Sequence, residues 1–338
     1  MTSFESLYLA ENLFSFKTGV TTTICDVYDN PEKQLRFFIN SKRFSIIEID
    51  ILKALYTFRY LNIYNLNRYL KELLPSYISK EDFSYNVKRL YENGFLYKHT
   101  FFYNGDDEVY SDHAEKHILV AYSLSKAAYH FVALSNSCYK TYSFKDPLEE
   151  KDSSSLTSKI LEHLSLAQWH ISVITNKNTG YKIDYSAFML KKSGRGIYAT
   201  LPSFIKVDLS GMRNGSTGPF KRSDNIISLI ALPIVKNLNS SAAIGHFFRR
   251  LLRIRGCVAD NPGLFVNPLF VFLCDTEKSA ADFMKLLKKY DDTKDIPFCF
   301  CIDENTKDDC SLQMIEVGYL GSSGFVTELL DLGSDISE

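Results

Sequence analysis

Apolar residues recur at helical spacing in the first part of the chain, between residues 44 and 94. The first helix is predicted by four residues that fall on one helical face: Ile47, Ile51, Leu52 and Leu55. The same spacing recurs over Ile63–Leu73 and over Phe83–Leu90. The pattern therefore predicts three short amphipathic helices in succession.

Polar residues mark the ends of these helices. Ser45 precedes Glu48 by three residues, a spacing at which each side chain can accept a hydrogen bond from the other residue's backbone N–H. Asn62 and Ser79 stand where the second and third helices are predicted to begin, and both residue types are preferred N-caps. Gly94 suits the C-terminal cap of the third helix, because glycine adopts positive φ without strain.

The aromatic-rich run 95–103 and the apolar run Ile118–Leu124 predict two strands after Gly94, and a helix follows over Lys126–Leu134. This order is typical of a winged helix-turn-helix, whose third helix is shaped to enter the DNA major groove. We therefore expect residues 44–144 to bind double-stranded DNA. The predicted contacts are the residues of the third helix that avoid its apolar side: Lys80, Tyr85, Asn86, Lys88 and Arg89.

Charge gives this expectation only modest support. Residues 42–98 contain ten basic and six acidic residues, which is compatible with a basic face. The predicted wing tip over 104–116 is instead rich in Asp and Glu, and such a tip repels phosphates. A winged-helix module that binds protein without touching DNA therefore stays open as an alternative.

The pattern in the second half of the chain predicts a separate domain. A polar, charged segment that contains Pro147 separates the two halves. Beyond it, strands alternate with helices, which is typical of an α/β domain with a mixed sheet. The expected fold class is therefore α+β, with five parts in chain order. These are an N-terminal arm, the winged helix-turn-helix, a linker, the α/β domain and an acidic tail: 1–43, 44–144, 145–155, 156–322 and 323–338.

Six strands are predicted in this second domain: Lys182–Leu190, Phe204–Leu209, Ile226–Pro233, Leu269–Cys274, Pro297–Ile302 and Met314–Tyr319. Helices are predicted over Ala242–Arg255 and Thr276–Tyr290. The first of these helices holds the densest basic cluster of the chain, with Arg249 and Arg253 four residues apart and Arg250 adjacent. The cluster fits phosphate contact and fits an ordinary solvated helix flank equally well.

Composition limits the possible classes of protein. The chain has 338 residues, 45% of them hydrophobic and 23% charged, which is typical of a folded protein. Its formal net charge is −1, so affinity for nucleic acid must come from local patches. Seven scattered cysteines indicate reduced thiols and a cytoplasmic protein. We expect no membrane span, no metal and no cofactor, because no long apolar run and no zinc-type ligand spacing occurs.

Three motifs resemble a known family. They are Ile51-Leu-Lys-Ala-Leu-Tyr56, Val87-Lys-Arg-Leu-Tyr-Glu-Asn-Gly-Phe-Leu96 and Tyr122-Ser-Leu-Ser-Lys126. They are similar to motifs of the replication-relaxation family, which is found on bacterial plasmids and integrating elements. The resemblance implies a winged helix followed by a restriction-endonuclease-like domain. It also implies a role in replication or transfer, with a replication or conjugation protein or a second copy of the chain as partner.

Active members of the restriction-endonuclease-like fold hold Mg²⁺ with an Asp and a Glu-x-Lys motif. In this chain Ser203 follows Pro202 where that Asp would stand, and Ile226–Pro233 contains no Glu-x-Lys. We therefore expect a non-enzymatic DNA-binding protein of a bacterial mobile element. The alternative from another class is a Mg²⁺-dependent nuclease with a rearranged site, for which the candidate ligands are Glu162, Asp184 and Asp208.

Overall fold

The chain contains two compact units, Met1–Ala167 (the N-terminal unit) and Gln168–Glu338 (the C-terminal unit). Both helices and strands occur, with seven helices among the described residues, which confirms a mixed α and β protein. The computed structural model describes residues 20–26, 34, 44–73, 79–103, 117–135, 153–175, 189–191, 198–200, 203–208, 226–233, 241–274, 277–287, 289, 298–302, 314–321 and 324–331.

The N-terminal unit combines helices with one antiparallel sheet. The strand order in that sheet is β1-β3-β4-β2, with β3 and β4 forming a hairpin. The elements are β1 (Val20–Asp26), α1 (Ile46–Phe58), β2 (Leu61–Asn62), α2 (Ile63–Leu73), α3 (Lys80–Glu92), β3 (Leu96–Tyr103), β4 (His117–Leu124), α4 (Lys126–Ser135) and the first part of α5 (Ser153–Thr175).

The predicted N-caps of the first three helices are confirmed. Ser45 and Glu48 form both bonds of the capping box, at 2.8 and 3.1 Å. The side chain of Asn62 accepts a bond from the backbone N–H of Asn65 at 2.8 Å. Ser79 caps α3 in the same way, because its hydroxyl accepts from the third backbone N–H of that helix. Each helix therefore begins where a short polar side chain can satisfy an otherwise unpaired N–H.

Gly94 ends α3, as predicted. Its φ is 76°, and its N–H donates to the carbonyl of Tyr91 at 2.9 Å. The next N–H, of Phe95, donates to the carbonyl of Leu90 at 3.0 Å. These two bonds form a Schellman motif, in which the left-handed residue lets the chain turn directly into β3.

Strand β1 was missed in the sequence, where residues 1–43 were expected to be an arm. In the structure β1 pairs with β3 in antiparallel register, with Val20 opposite Tyr103 and Asp26 opposite Lys98. The side chain of Gln34 also donates to the carbonyl of Gly94 at 2.7 Å. Part of the predicted arm therefore adds an edge strand to the sheet.

The first part of α5 belongs to the N-terminal unit. Ile160 and Leu164 are fully buried in one apolar cluster with Tyr60, Phe101 and Leu119. The division between the units consequently falls within α5, after Ala167, and does not coincide with the linker predicted at 145–155. The apolar stripe of α5 is the physical reason, since it packs on the apolar side of the β3–β4 hairpin.

The C-terminal unit is built on a six-stranded sheet whose mixed pairing confirms the predicted mixed sheet. Its strands differ from the six predicted, because the sheet includes Gly324–Asp331 and Met189 and Leu190 of the predicted strand Lys182–Leu190 pair elsewhere. Its strand order is β12-β11-β10-β9-β8-β7, with parallel pairing from β8 to β10 and antiparallel pairing elsewhere. A separate pair consists of β5 and β6. The elements are β5 (Met189–Lys191), β6 (Tyr198–Thr200), β7 (Ser203–Asp208), β8 (Ile226–Pro233), α6 (Ser241–Ala259), β9 (Pro268–Cys274), α7 (Glu277–Leu287), β10 (Phe298–Ile302), β11 (Met314–Gly321) and β12 (Gly324–Asp331).

The expectation of an acidic tail from residue 323 is corrected by this sheet. Strand β12 (Gly324–Asp331) pairs along its whole length with β11, with Gly324 opposite Gly321 and Asp331 opposite Met314. Pairs of apolar residues, Phe325-Val326 and Leu329-Leu330, lie on either side of Thr327-Glu328 in this strand. The acidic residues concealed this pattern in the sequence.

Aromatic side chains dominate the core of the C-terminal unit. Phe247 of α6 and Phe272 of β9 lie 5.1 and 5.0 Å from Phe283 of α7, measured between ring centroids. Both helices therefore pack on the strands through phenylalanine, and α6 turns its other side outward. Among the described helices, none is both long enough and apolar enough to cross a bilayer.

Candidate nucleic acid interface

Helix α3 packs through one apolar side. Phe83, Val87 and Leu90 are each at most 2% exposed. On the opposite side, Tyr85 is 64% exposed and Lys88 is also exposed. The sequence prediction that part of this helix faces solvent is therefore confirmed for these two residues.

Asn86 has a different position from the one expected of a DNA contact. It is 7% exposed, and its Oδ1 atom accepts a bond from the Ser45 hydroxyl at 2.9 Å. Its Nδ2 atom donates to the backbone carbonyl of Asp82 at 2.7 Å. Because both ends of the amide are satisfied inside the protein, Asn86 joins α3 to the start of α1 and does not present its amide to a base edge.

Arg89 also links the two helices. Its Nη1 atom lies 3.4 Å from Oε2 of Glu48, a carboxylate that is fully buried. The same carboxylate oxygen accepts the backbone N–H of Ser45 at 2.8 Å. The guanidinium thus compensates a buried negative charge, and loss of either partner would leave the other uncompensated. We call Ser45, Glu48, Asn86 and Arg89 the α1–α3 polar network.

The outward side of α3 is acidic on balance. Lys88 Nζ lies 3.7 Å from Glu92 Oε1, and both side chains are exposed. Glu81 and Asp82 are exposed in the first turn, where their charges stabilise the helix N-terminus. Lys80 begins the helix, and its side chain lies outside the described residues. Among the side chains described on this side, one ammonium therefore stands against three carboxylates.

One exposed residue near this surface was missed in the sequence. Ile46, the first residue of α1, is 74% exposed. Its chain neighbour Ser45 is hydrogen-bonded to Asn86, the residue after Tyr85, so the start of α1 lies beside α3. The exposure of Ile46 could have been suspected from its position in the sequence, because an apolar residue directly after the N-cap can lie on the outer side of the first turn.

Helix α6 has the opposite electrostatic character. Arg249 and Arg253 are exposed on one side, and His246 precedes them on that side by one turn. Arg250 is half-buried at the edge of this surface. Nε of Arg249 donates to the carbonyl of Gly245 at 3.1 Å, which orients the guanidinium along the helix surface.

Two buried histidines add no positive charge near neutral pH. Burial lowers the pKa of His99 and of His170 to about 3. His99 Nε2 lies 2.9 Å from the hydroxyl of Ser123, between strands β3 and β4. Burial, and then the nearby Tyr91, raises the pKa of Tyr122 to about 12. These groups belong to the packed core of each unit.

Of the candidate ligands of the nuclease alternative, the structure describes the side chain of Glu162. Asp184 lies outside the described residues, and so does the side chain of Asp208. Glu162 is half-buried on α5 in the N-terminal unit. Within the described part of the chain, no group of three or more His, Cys, Asp and Glu side chains converges as a metal site would require.

Comparison of the chain with family models, curated proteins and solved structures gave no match. The resemblance of three short motifs to the replication-relaxation family therefore stays a hypothesis.

Proposed function

We propose that this chain is a non-enzymatic DNA-binding protein and that its N-terminal unit is a winged helix-turn-helix. The observation that carries the proposal is the order of elements α1-β2-α2-α3-β3-β4, closed by the pairing of β2 with β4. This arrangement presents the third helix on a fixed support, beside a two-stranded hairpin. It is the architecture in which a third helix enters the major groove of DNA.

The α1–α3 polar network fixes the third helix in this arrangement. A recognition helix must keep its orientation when it enters a groove, because base contacts depend on position to within fractions of an ångström. Tyr85 and Lys88 are the described side chains that α3 offers, and lysine can donate to the acceptor atoms of guanine in the major groove. Asn86 and Arg89 act as positioning residues in this proposal.

We further propose that the protein acts in a bacterial mobile element. This proposal rests on the three motifs that resemble the replication-relaxation family. In that context the mixed-sheet unit, proposed to resemble a degenerate restriction-endonuclease-like fold, mediates homodimer formation or contacts a replication or conjugation protein. The lack of a Glu-x-Lys motif in strand β8 supports a role without catalysis.

A salt titration of DNA binding tests the proposal. The full chain is titrated against a fluorescein-labelled duplex, and the logarithm of the association constant is plotted against the logarithm of salt concentration. We expect a straight line of negative slope, because each phosphate contact releases counterions. Tyr85→Ala should weaken binding, and Lys53→Ala, on the exposed side of α1, should not.

A specific observation favours a second candidate, the protein-interaction module. Ile46 and Tyr85 are large and exposed, and α3 also exposes the carboxylates of Glu81, Asp82 and Glu92. Such a surface fits a basic segment of a protein partner better than it fits phosphates. If the chain binds no duplex of any sequence at low salt, the DNA proposal is overturned in favour of this module.

A further inference from the structure

Affinity for DNA requires several cationic side chains, because phosphate contacts supply most of the non-specific binding free energy. On the outward side of α3, Lys88 is paired with Glu92 and stands among further carboxylates. Arg89 is engaged with the buried Glu48. The described part of α3 therefore cannot supply these contacts, and a DNA-binding protein of this sequence needs another cationic surface.

Helix α6 carries such a surface. Arg249 and Arg253 are four residues apart, so their side chains emerge on one side about 6 Å apart along the axis. Both are exposed, and neither has an ion-pair partner among the described residues. His246 lies on the same side, one turn before Arg249, and Arg250 borders it. We call these four residues the α6 basic face.

No acidic residue occurs within α6, Ser241–Ala259. The first acid beyond it is Asp260, seven residues after Arg253 and so about 10 Å along the axis. At moderate salt this distance is about one Debye length, which screens the attraction between exposed charges. No carboxylate of α6 itself therefore offsets the charge of the α6 basic face, in contrast to the outward side of α3.

A purely structural role does not account for these arginines. Arginines in the last turn of a helix stabilise its C-terminal dipole, an effect confined to that turn. Arg249 and Arg253 lie ten and six residues before the end of α6 at Ala259, outside the last turn. Among the residues that the structure describes, neither forms the ion pairs that stabilise many exposed helix surfaces. Neither dipole stabilisation nor ion pairing among the described residues therefore explains why arginine occupies these two exposed positions.

The opposite side of α6 makes the surface rigid. Phe247 and Phe248 lie 5.1 and 6.1 Å from the ring of Phe283, and the Phe248 and Phe283 rings are stacked at an angle of 8°. The guanidinium groups are therefore presented from a helix that is fixed by core packing. Planar guanidinium groups donate pairs of hydrogen bonds that match phosphate oxygens.

We infer that the α6 basic face is the main phosphate-binding surface of this protein and that its ligand is the phosphodiester backbone of DNA. Arg249 and Arg253 contact neighbouring phosphates, and His246 and Arg250 extend the contact along the helix. The inference rests on the proposed DNA-binding function and deepens it. It assigns phosphate contact to the C-terminal unit, whatever α3 contributes to base recognition.

The test uses the full chain and the salt titration with labelled duplex described above. The variant Arg249→Ala/Arg253→Ala should bind about tenfold more weakly or worse and should lower the salt slope by about two, since each phosphate contact contributes about 0.9. Arg249→Lys/Arg253→Lys keeps both charges and should keep most of the slope. Lys285→Ala/Lys289→Ala removes two exposed charges elsewhere in the same unit and is the matched control.

Each outcome decides a separate question. If the wild-type chain binds duplex and the double alanine variant has the same affinity and slope, the inference is wrong and the DNA-binding proposal stands. If the wild-type chain binds no duplex, both fail. If polyglutamate competes as well as unlabelled duplex at equal charge concentration, the surface is one for acidic protein, and the assignment to DNA is overturned. Circular dichroism of each variant establishes that the fold is intact.

Discussion

Helices α3 and α6 each expose one side to solvent, and they differ in the contacts that attach the other side to the protein. The α1–α3 polar network attaches α3 to α1 through hydrogen bonds and one buried ion pair. Helix α6 is attached through phenylalanine rings. Among the described side chains, the outward side of α3 carries more carboxylates than cations, and that of α6 carries arginine with no acid within the helix.

Side chains that bond to a neighbouring helix to fix the orientation of their own helix cannot also contact a ligand such as DNA. Arginine and asparagine are residue types expected at a DNA contact. Here Arg89 and Asn86 instead contact Glu48 and Ser45, which join α3 to α1. The described contacts between α6 and other elements are made by its apolar side, and Arg249 and Arg253 are exposed on the other side. The order of elements can thus predict a recognition helix while the cations lie on another helix.

The largest expected effect tests the aromatic attachment of α6. Phe283 lies between 5.0 and 6.3 Å from the rings of Phe247, Phe248, Phe272 and Phe300. Phe283→Ala should lower the free energy of unfolding of the C-terminal unit by about 3–5 kcal/mol, because it opens a cavity among these rings. Trp169, the single tryptophan of the chain, is buried in that unit and reports its unfolding in denaturant.

Phe283→Leu is the matched control for this prediction, since it keeps most of the apolar volume and should cost much less. A loss of under about 1 kcal/mol for Phe283→Ala would show that α6 is not held by its aromatic side. The proposed difference between the aromatic attachment of α6 and the polar attachment of α3 would then be wrong.

The next effect tests the polar attachment of α3. Glu48→Ala removes both the capping bond to Ser45 and the partner of Arg89, so we expect a loss of about 2–3 kcal/mol in the N-terminal unit. Glu48→Gln can keep the capping bond and loses only the charge, so it should cost less. Hydrogen exchange of the amides in α1 and α3 measures the stability loss in each of these two variants. Asp50→Ala, on the same helix, is the control. Equal effects of Glu48→Ala and Asp50→Ala would contradict the network.

A third prediction uses pH to separate the two units. Burial lowers the pKa of His99 to about 3, so the folded state keeps this ring neutral while the unfolded chain binds a proton below about pH 6.5. Stability should therefore fall as pH decreases from about 6.5, by about 1.4 kcal/mol per pH unit for this histidine. The loss continues until the pH approaches the folded pKa. His170 in the C-terminal unit should act in the same direction.

His99→Gln should remove this pH dependence from the N-terminal unit and leave that of the C-terminal unit unchanged. The measurement is urea unfolding at several pH values, followed by tryptophan fluorescence for the C-terminal unit and by circular dichroism for the whole chain. An unchanged slope in the variant would mean that His99 is not held neutral by burial. If the fluorescence and circular dichroism signals changed equally, the N-terminal and C-terminal units would not unfold independently.

The smallest expected effect concerns Lys88. Its ion pair with Glu92 is exposed, so Lys88→Ala should change stability by less than about 0.5 kcal/mol. It should lower the salt slope of DNA binding by at most about one, which is less than the effect of removing Arg249 and Arg253. A larger loss of affinity for Lys88→Ala than for the arginine variant would reverse the comparison and make α3 the main phosphate contact.

Local features were predictable from the sequence alone. The caps at Ser45, Asn62 and Ser79 and the turn at Gly94 each depend on atoms a few residues apart, so residue type and spacing are sufficient to predict them. The mixed sheet was predictable for a similar reason, because strands such as Ile226–Pro233 are continuous apolar runs separated by amphipathic helices.

Only the tertiary structure decided which polar residues face inward. Ser45 and Asn86 are 41 residues apart, and their bond exists because α1 and α3 pack together. The same dependence on distant partners explains the pairing of β1 with β3, the division within α5 and the outward position of Arg249 and Arg253. A side chain's spacing along a helix defines the side it occupies, and the packing of the other elements determines whether that side meets water or a partner.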